Sequence, residues 1–557
     1  MQPNHSSAGR LSIACASLLL CVGAALAQPG PGPGGPPPQL PPVPFPPQNT
    51  FSEAKRVLGK ILFWDEQLSS DNTVACGTCH RPEIGGTDPR SGINPGIEGI
   101  FGDATDILGS PGVIRQDTNL KYEADPAFGL RLQVTRRTAQ DFMGGAYHQS
   151  LFWDGRASSV FVDPDTGVVA IPAGGALESQ SLMPLLSTAE MAHGGRTLAD
   201  VVTKLQGVTP LKLATNVPPD MAAAVAAQGN YPGLFQAAFG SPTISARRIA
   251  FAIATYERTL VPNQTPYDAF AAGNPAALTQ NQHQGFMAFQ GVGRCNACHT
   301  APFFSDGTFR NIGLRPLQED EGRFEVTANP ADRGRFKVPS LRNAALRSRY
   351  FHNGQVPTLP GVLAFYNNSG GPFPANRDPV LQGLVMTPLE QSRIVDFLQA
   401  LVDPRAAQGL FPFDRPTLHL ERLNANSPFF GAPTAGTGGV APQWIANSPP
   451  ALGSTDFKVG VRDALGGANA WLGLSPTPAS PMTNFGGVAF HLDFATTTLL
   501  PFVLGGTGPT GGYTTVPWAI PNIPSAVGIE IIGQWFVEDP NGASGFSASR
   551  GLRLTLF

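Results

Sequence analysis

Residues 76–80 read Cys-Gly-Thr-Cys-His, and residues 295–299 read Cys-Asn-Ala-Cys-His. Nothing else in the 557-residue chain limits it so sharply, because these two runs use four of its six cysteines. Two thiols separated by two residues, with an imidazole directly behind the second, form the attachment signature of c-type haem: the sulfurs bond the vinyl groups and the imidazole reaches the iron. A redox disulfide or half a zinc site would also use C-x-x-C, but either leaves the histidine without a task. Two copies therefore predict two covalently bound haem c groups. Cys76, Cys79 and Cys295, Cys298 are the attachment points, and His80 and His299 are the axial ligands of the first and second irons.

The remaining cysteines, Cys15 and Cys21, fall in an apolar run after Arg10 that ends Ala25-Leu26-Ala27. Small residues at Ala25 and Ala27 and a run too short for a membrane span predict a signal peptide over 1–27, cleaved before Gln28. A lipoprotein anchor at Cys21 is disfavoured by the bulky Leu20. The expected location is periplasmic or secreted, with no transmembrane segment in the mature chain. A net charge of −3 with 14% charged residues gives no basic footprint for nucleic acid.

The length allows several domains, and 64 glycines with 55 prolines predict many loops. A Pro/Gly-rich linker is expected over 28–47. Ser52 offers a cap for a helix in "TFSEAKRVLGKILFWD", and "ISARRIAFAIATYERTL", "LTQNQHQGFMAFQGV" and "TPLEQSRIVDFLQALV" carry further helical patterns. Beyond about residue 425 the period changes to two in "DFKVGV", "VAFHLDF", "GIEIIGQWFVEDP" and "GLRLTLF". The fold class expected is mainly α: an N-terminal haem domain (48–272), a second haem domain (273–410), a linker (411–430) and a small β-sandwich (431–557) without a catalytic constellation.

Six segments in order carry a resemblance: "LGKILFWDEQLSSDNTVACGTCH", "LFWDGRAS", "AIATYERTLVPNQTPYDAF", "CNACHTAPFFSDGTFRNIGL", "GRFKVPSLRNAALRSRYFHNG" and "TLPGVLAFYNNSGG". Over roughly residues 50 to 405 the chain resembles the di-haem cytochrome c peroxidase and MauG family. The resemblance implies an exported peroxidase acting on hydrogen peroxide at the first haem. Glu190 becomes the acid–base group and Gln180 its partner, from the spacing of Gln180, Pro184 and Glu190 in "ESQSLMPLLSTAEM". Trp153 of "FWDGR" becomes an electron relay between the haems. A departure is the insertion "VFVDPDTGVVAIPAGGA" between Trp153 and Gln180: as a surface loop it spares the site, whereas a rerouted chain would undo it.

Enzymes of the family that take electrons from a small cytochrome close the first haem with a distal histidine soon after C-x-x-C-H. Here no histidine occurs from Arg81 to Tyr147, so the first haem is expected to keep an open face, with His148 and His193 as the remaining intruders. At the second haem, alignment with MauG puts Tyr366 in the distal position, and Met386 is the alternative ligand. The family's calcium asparagine is matched by Thr138; a hard cation prefers carbonyl or carboxylate oxygen to a hydroxyl, which counts against calcium. Arg310 and His352 fall near the second haem by motif without an assigned role. The leading expectation is a MauG-like peroxidase. A cytochrome-dependent peroxidase with Met386 on the second haem and a non-catalytic electron-transfer cytochrome remain the alternatives. The electron donor or protein substrate is not identified by sequence.

Overall fold

Ser52 accepts a hydrogen bond from the Lys55 N–H at 3.3 Å and opens a helix over Glu53–Trp64, as its pattern predicts. The computed structural model describes residues 37–425 and 427–557; the expected signal segment lies outside them. The Glu53–Trp64 helix packs along Ala246–Glu257, and a Cβ on Gly59 would overlap the Ala252 carbonyl, so the two backbones touch. Leu58, Ile61, Leu62, Ile253 and Tyr256 fill this contact, the centre of the first apolar core. The second core repeats the device. Gln280–Gln290, started by a Thr279 capping box, crosses Pro388–Gln399, started by a Thr387 capping box, where Gly285 meets the Arg393 carbonyl.

These helical regions contain more sheet than their pattern predicts. Short antiparallel ladders join 92–94 to 107–109, 111–114 to 132–134, 150–151 to 157–158, 161–162 to 169–171 and 309–310 to 336–337. Each is two to four residues per strand, too short to show a period.

Beyond residue 427 the chain is antiparallel strand and loop, with short 3₁₀ turns over Thr437–Gly439 and Pro524–Ala526. One sheet orders 429–430, 551–555, 530–543, 469–475 and 498–503 side by side; a second orders 443–445, 458–464 and 512–517. Trp444, Val459 and Val461 of the second sheet share a core with Leu472, Trp535 and Leu552 of the first. The stretch expected as a linker over 411–430 is instead built into the first region. Phe413 and Leu418 are fully buried in its core, and a helix runs over His419–Ala425.

The β-region is fastened to the first helical region. Asp456 accepts from Asn72 Nδ2 and from Lys204 Nζ, both at 2.9 Å, and Lys458 Nζ donates to Gln116 Oε1 at 2.8 Å. Ile445 closes a small apolar cluster with Ile114, Tyr122 and Leu130. The loop held by these bonds, 69–73, leads directly into Cys76. Among the described residues no helix is long and apolar enough to cross a membrane.

Candidate active site

The Cys76–Cys79 turn is seated on the end of the first helix. Trp64 donates its indole N–H to the Tyr256 hydroxyl at 3.0 Å and lays its ring against Gly77, where a Cβ would overlap the indole. Glycine between the two cysteines is therefore a packing requirement. Thr78 Oγ1 accepts from the Ala75 N–H at 2.9 Å and caps the turn. His80 follows with its Nδ1 3.3 Å from the Gly86 carbonyl. A ring nitrogen held by a backbone carbonyl is the usual way a protein orients an imidazole toward a metal. Burial lowers the His80 pKa, with the Gly86 carbonyl opposing, so the ring is neutral as a ligand must be.

Cys76, Cys79 and His80 line one cavity together with Trp153, Gln180, Pro184 and Glu190. Gln180 lies in the last turn of the short helix Ala176–Ser181, and Pro184 starts the following 3₁₀ turn, Pro184–Leu186. The insertion before them is a surface hairpin: strands Phe161–Val162 and Val169–Ile171 pair, and the Gly175 N–H returns to the Ser159 carbonyl at 2.8 Å. The chain thus re-enters where it left, and Gln180 and Glu190 keep their place on the cavity wall. Burial raises the Glu190 pKa, opposed by Ser187 and Arg156. Among the described residues His80 is the only histidine lining this cavity. His193 is turned away, its Nδ1 2.8 Å from the Gly194 carbonyl, and His148 lies off the wall.

Cys295, Cys298 and His299 line a second cavity with Tyr366 and Met386. His299 Nδ1 is 2.9 Å from the Phe304 carbonyl, which repeats the orientation seen at His80. Tyr366 comes from the Leu359–Asn367 helix, capped by Thr358. Its hydroxyl has no hydrogen bond among the described residues, and burial raises its pKa. Met386 is 3% exposed and belongs to the second apolar core, its backbone fixed by Asn367 through bonds of 2.6 and 3.2 Å.

Trp153 lines both cavities. Around it stand residues to which sequence reasoning gave no role. Arg137 bonds Asp154 at 2.6 Å, Asp320 at 2.5 Å and Glu325 at 3.1 Å, joining the two helical regions. His352 stacks on Phe336 with ring centroids 3.6 Å apart and meets Trp153 edge-on at 6.3 Å; burial lowers its pKa to about 4. Thr138, the residue matched to the calcium asparagine, spends its hydroxyl on the Phe351 carbonyl at 3.1 Å. Arg310, on the wall of the second cavity, is tied to Asp378 at 2.8 Å and Asp306 at 3.1 Å.

These residues fit c-type haem. All four motif cysteines are free thiols, each pair on a cavity wall beside its histidine. The second cavity also holds a buried amine without a partner among the described residues. Lys337 is 3% exposed and its Nζ makes no hydrogen bond or ion pair among the described residues; burial pushes its pKa down to about 7, opposed by Asp141, which is itself paired with Arg347 at 2.9 Å. A buried amine without a partner is held charged by a nearby anion, and haem brings two carboxylates. Only the "RFKVP" context marked this lysine in the sequence, and burial is not readable there.

The family model for di-haem cytochrome c peroxidase matches residues 53–276. Methylamine utilization protein MauG of Methylorubrum extorquens is 30% identical over 367 residues, covering 66% of this chain and 83% of that protein. Cytochrome-c peroxidase IdrP1 of Denitromonas iodatirespirans is 29% identical over 430 residues, covering 71% of this chain and 93% of that one. A solved MauG-like protein associated with microbial copper homeostasis aligns at 25% identity with a TM-score of 0.49, over 68% of this chain and 97% of the other. With a 30%-identical relative spanned over 83% of its length, this chain belongs to the di-haem cytochrome c peroxidase family.

Proposed function

We propose that this protein is an exported di-haem peroxidase of the MauG-like type, reducing hydrogen peroxide in the His80 cavity and passing oxidising equivalents by way of Trp153 to the Cys295–His299 cavity. The observation that carries the reading is the company kept by His80: Gln180, Glu190 and Trp153 line the same cavity, and no second histidine among the described residues does. Haem bound there supplies the electrons that break the O–O bond. The chain's own part is proton handling. Glu190 takes the proton from the near peroxide oxygen and returns it to the departing one, a task suited to a carboxyl whose pKa burial has raised. The Gln180 amide orients the peroxide for that transfer. In this reading Tyr366 would hold the second iron together with His299, supplying a hard anionic donor that favours the oxidised state.

Addition of one equivalent of peroxide to the oxidised holoprotein, with no prior reduction, tests the reading. Rapid optical change is expected in the wild type and strong slowing in Glu190→Gln. An oxidised protein that is inert until an electron is supplied would favour the cytochrome-dependent alternative, with Met386 on the second iron. Met386 keeps that alternative alive because it lines the same cavity as Tyr366.

A further inference from the structure

Peroxide reduction to water needs more protons than Glu190 handles. The overall change is H2O2 + 2 e− + 2 H+ → 2 H2O. Glu190 only moves a proton already on the peroxide from one oxygen to the other, so the two protons that enter with the electrons need another carrier. A second carboxyl on the same cavity meets the requirement. Glu257, the last residue of the Ala246–Glu257 helix, lines the cavity and is 3% exposed. Its Oε2 is sealed in protein without a hydrogen-bond partner.

Among the described residues no cation pairs with Glu257: of the arginines on the cavity wall, Arg137 and Arg156 are engaged by Asp154 and Arg136 by Glu325. Arg258, the cap that follows its helix, is engaged by Glu178 of the Ala176–Ser181 helix at 2.7 and 2.9 Å. Facing it from the other elements are the Cys76 thiol of the attachment turn and, across the cavity, the Glu190 carboxyl, neither of them cationic. Burial pushes the Glu257 pKa up to about 8, with Arg258 opposing and Glu178 adding to the rise. Burial thus favours the protonated carboxyl, on a side chain that lines the cavity.

We propose that Glu257 is the proton-loading group of the His80 cavity: it binds one proton as the cavity gains one electron from a one-electron reductant, and releases it to an oxygen derived from peroxide. This rests on the peroxidase reading above and adds a residue that reading does not use. A carboxyl so placed couples to the charge of the first haem: oxidation adds a positive charge nearby and favours loss of the proton, while reduction favours its uptake.

The test uses the holoprotein and two readouts: the midpoint potential of the first haem against pH, and oxidised-minus-reduced infrared difference spectra. In the wild type the potential falls as pH rises through a window near about 8, approaching ~59 mV per tenfold change in proton activity for a one-electron couple. A protonated-carboxyl band changes with oxidation state. Glu257→Gln removes both, and Glu257→Asp keeps both with the window displaced. An unchanged slope and band in Glu257→Gln overturns the proposal; if that variant does not load haem, an undisplaced window in Glu257→Asp does so instead. Peroxide reactivity of the same samples separates the two claims. Reactive protein whose slope ignores Glu257 ends this inference alone. Inert protein with a Glu257-dependent slope ends the peroxidase reading and leaves the proton coupling standing.

Discussion

Trp153 donates its indole N–H to the Thr138 carbonyl at 2.9 Å, and its own carbonyl accepts the Lys337 N–H at 2.7 Å. The ring is thereby held on the partition between the two cavities, with His352 at its edge. Trp153→Phe removes one hydrogen bond, worth about 0.5–1.5 kcal/mol, which the fold tolerates. Haem content and resting spectra are expected to stay as in the wild type. Sharing of oxidising equivalents between the haems after peroxide addition, followed by rapid-scan optical spectroscopy, slows by about tenfold or more, a barrier increase of ~1.4 kcal/mol or above.

Glu190→Gln keeps the size of the side chain and removes its proton transfer. The rate of reaction with peroxide falls by roughly 10²–10⁴, with the resting spectrum unchanged. The sign of the pH effect follows from burial. The Glu190 pKa lies above the ordinary carboxylate value, so the basic form develops late, and the wild-type rate climbs with pH over a limb displaced to the alkaline side of a free carboxyl. In Glu190→Gln that limb is absent.

Tyr366 and Met386 give opposite results in one experiment. Tyr366→Phe is expected to abolish the low-spin resonance of the second haem and change its potential, with little loss of stability. Met386→Ala leaves that resonance in place and destabilises the protein by about 2–5 kcal/mol, because the side chain fills the second core.

The β-region contributes to the fold of the motif loop through Asp456. Burial alone would raise the Asp456 pKa, but Lys204, Ser454 and Asn72 outweigh it and hold the carboxyl below its ordinary value. The stability it adds is present above the unfolded carboxyl pKa of about 3.9 and is lost as pH falls through the lower folded value. Asp456→Asn is expected to lower the melting temperature near neutral pH, by roughly 1–3 kcal/mol of stability, and to show less further loss on acidification than the wild type.

Local chemistry was legible in the sequence where neighbours in the chain are neighbours in space. The Cys-x-x-Cys-His runs, the cap Ser52, and the alternation over Lys458–Ala464 each depend on residues a few positions apart. Gln180 and Glu190 line the same cavity as Trp153 because the insertion between Trp153 and Gln180 folds back on itself. What escaped depends on distant contacts. Asn72 and Asp456 meet across 384 residues, and nothing local marks either. Phe413 and Leu418 sit in a stretch with the composition of a spacer, yet the first core claims them. Glu257 and Lys337 look like ordinary surface charges in sequence; only burial without a partner distinguishes them.

The central claim is that the iron held by His80 keeps an open face toward Glu190 while the iron held by His299 does not. Paramagnetic resonance of the oxidised, peroxide-free holoprotein measures this directly. One high-spin and one low-spin haem in equal amount is the result expected; two low-spin haems would contradict the account.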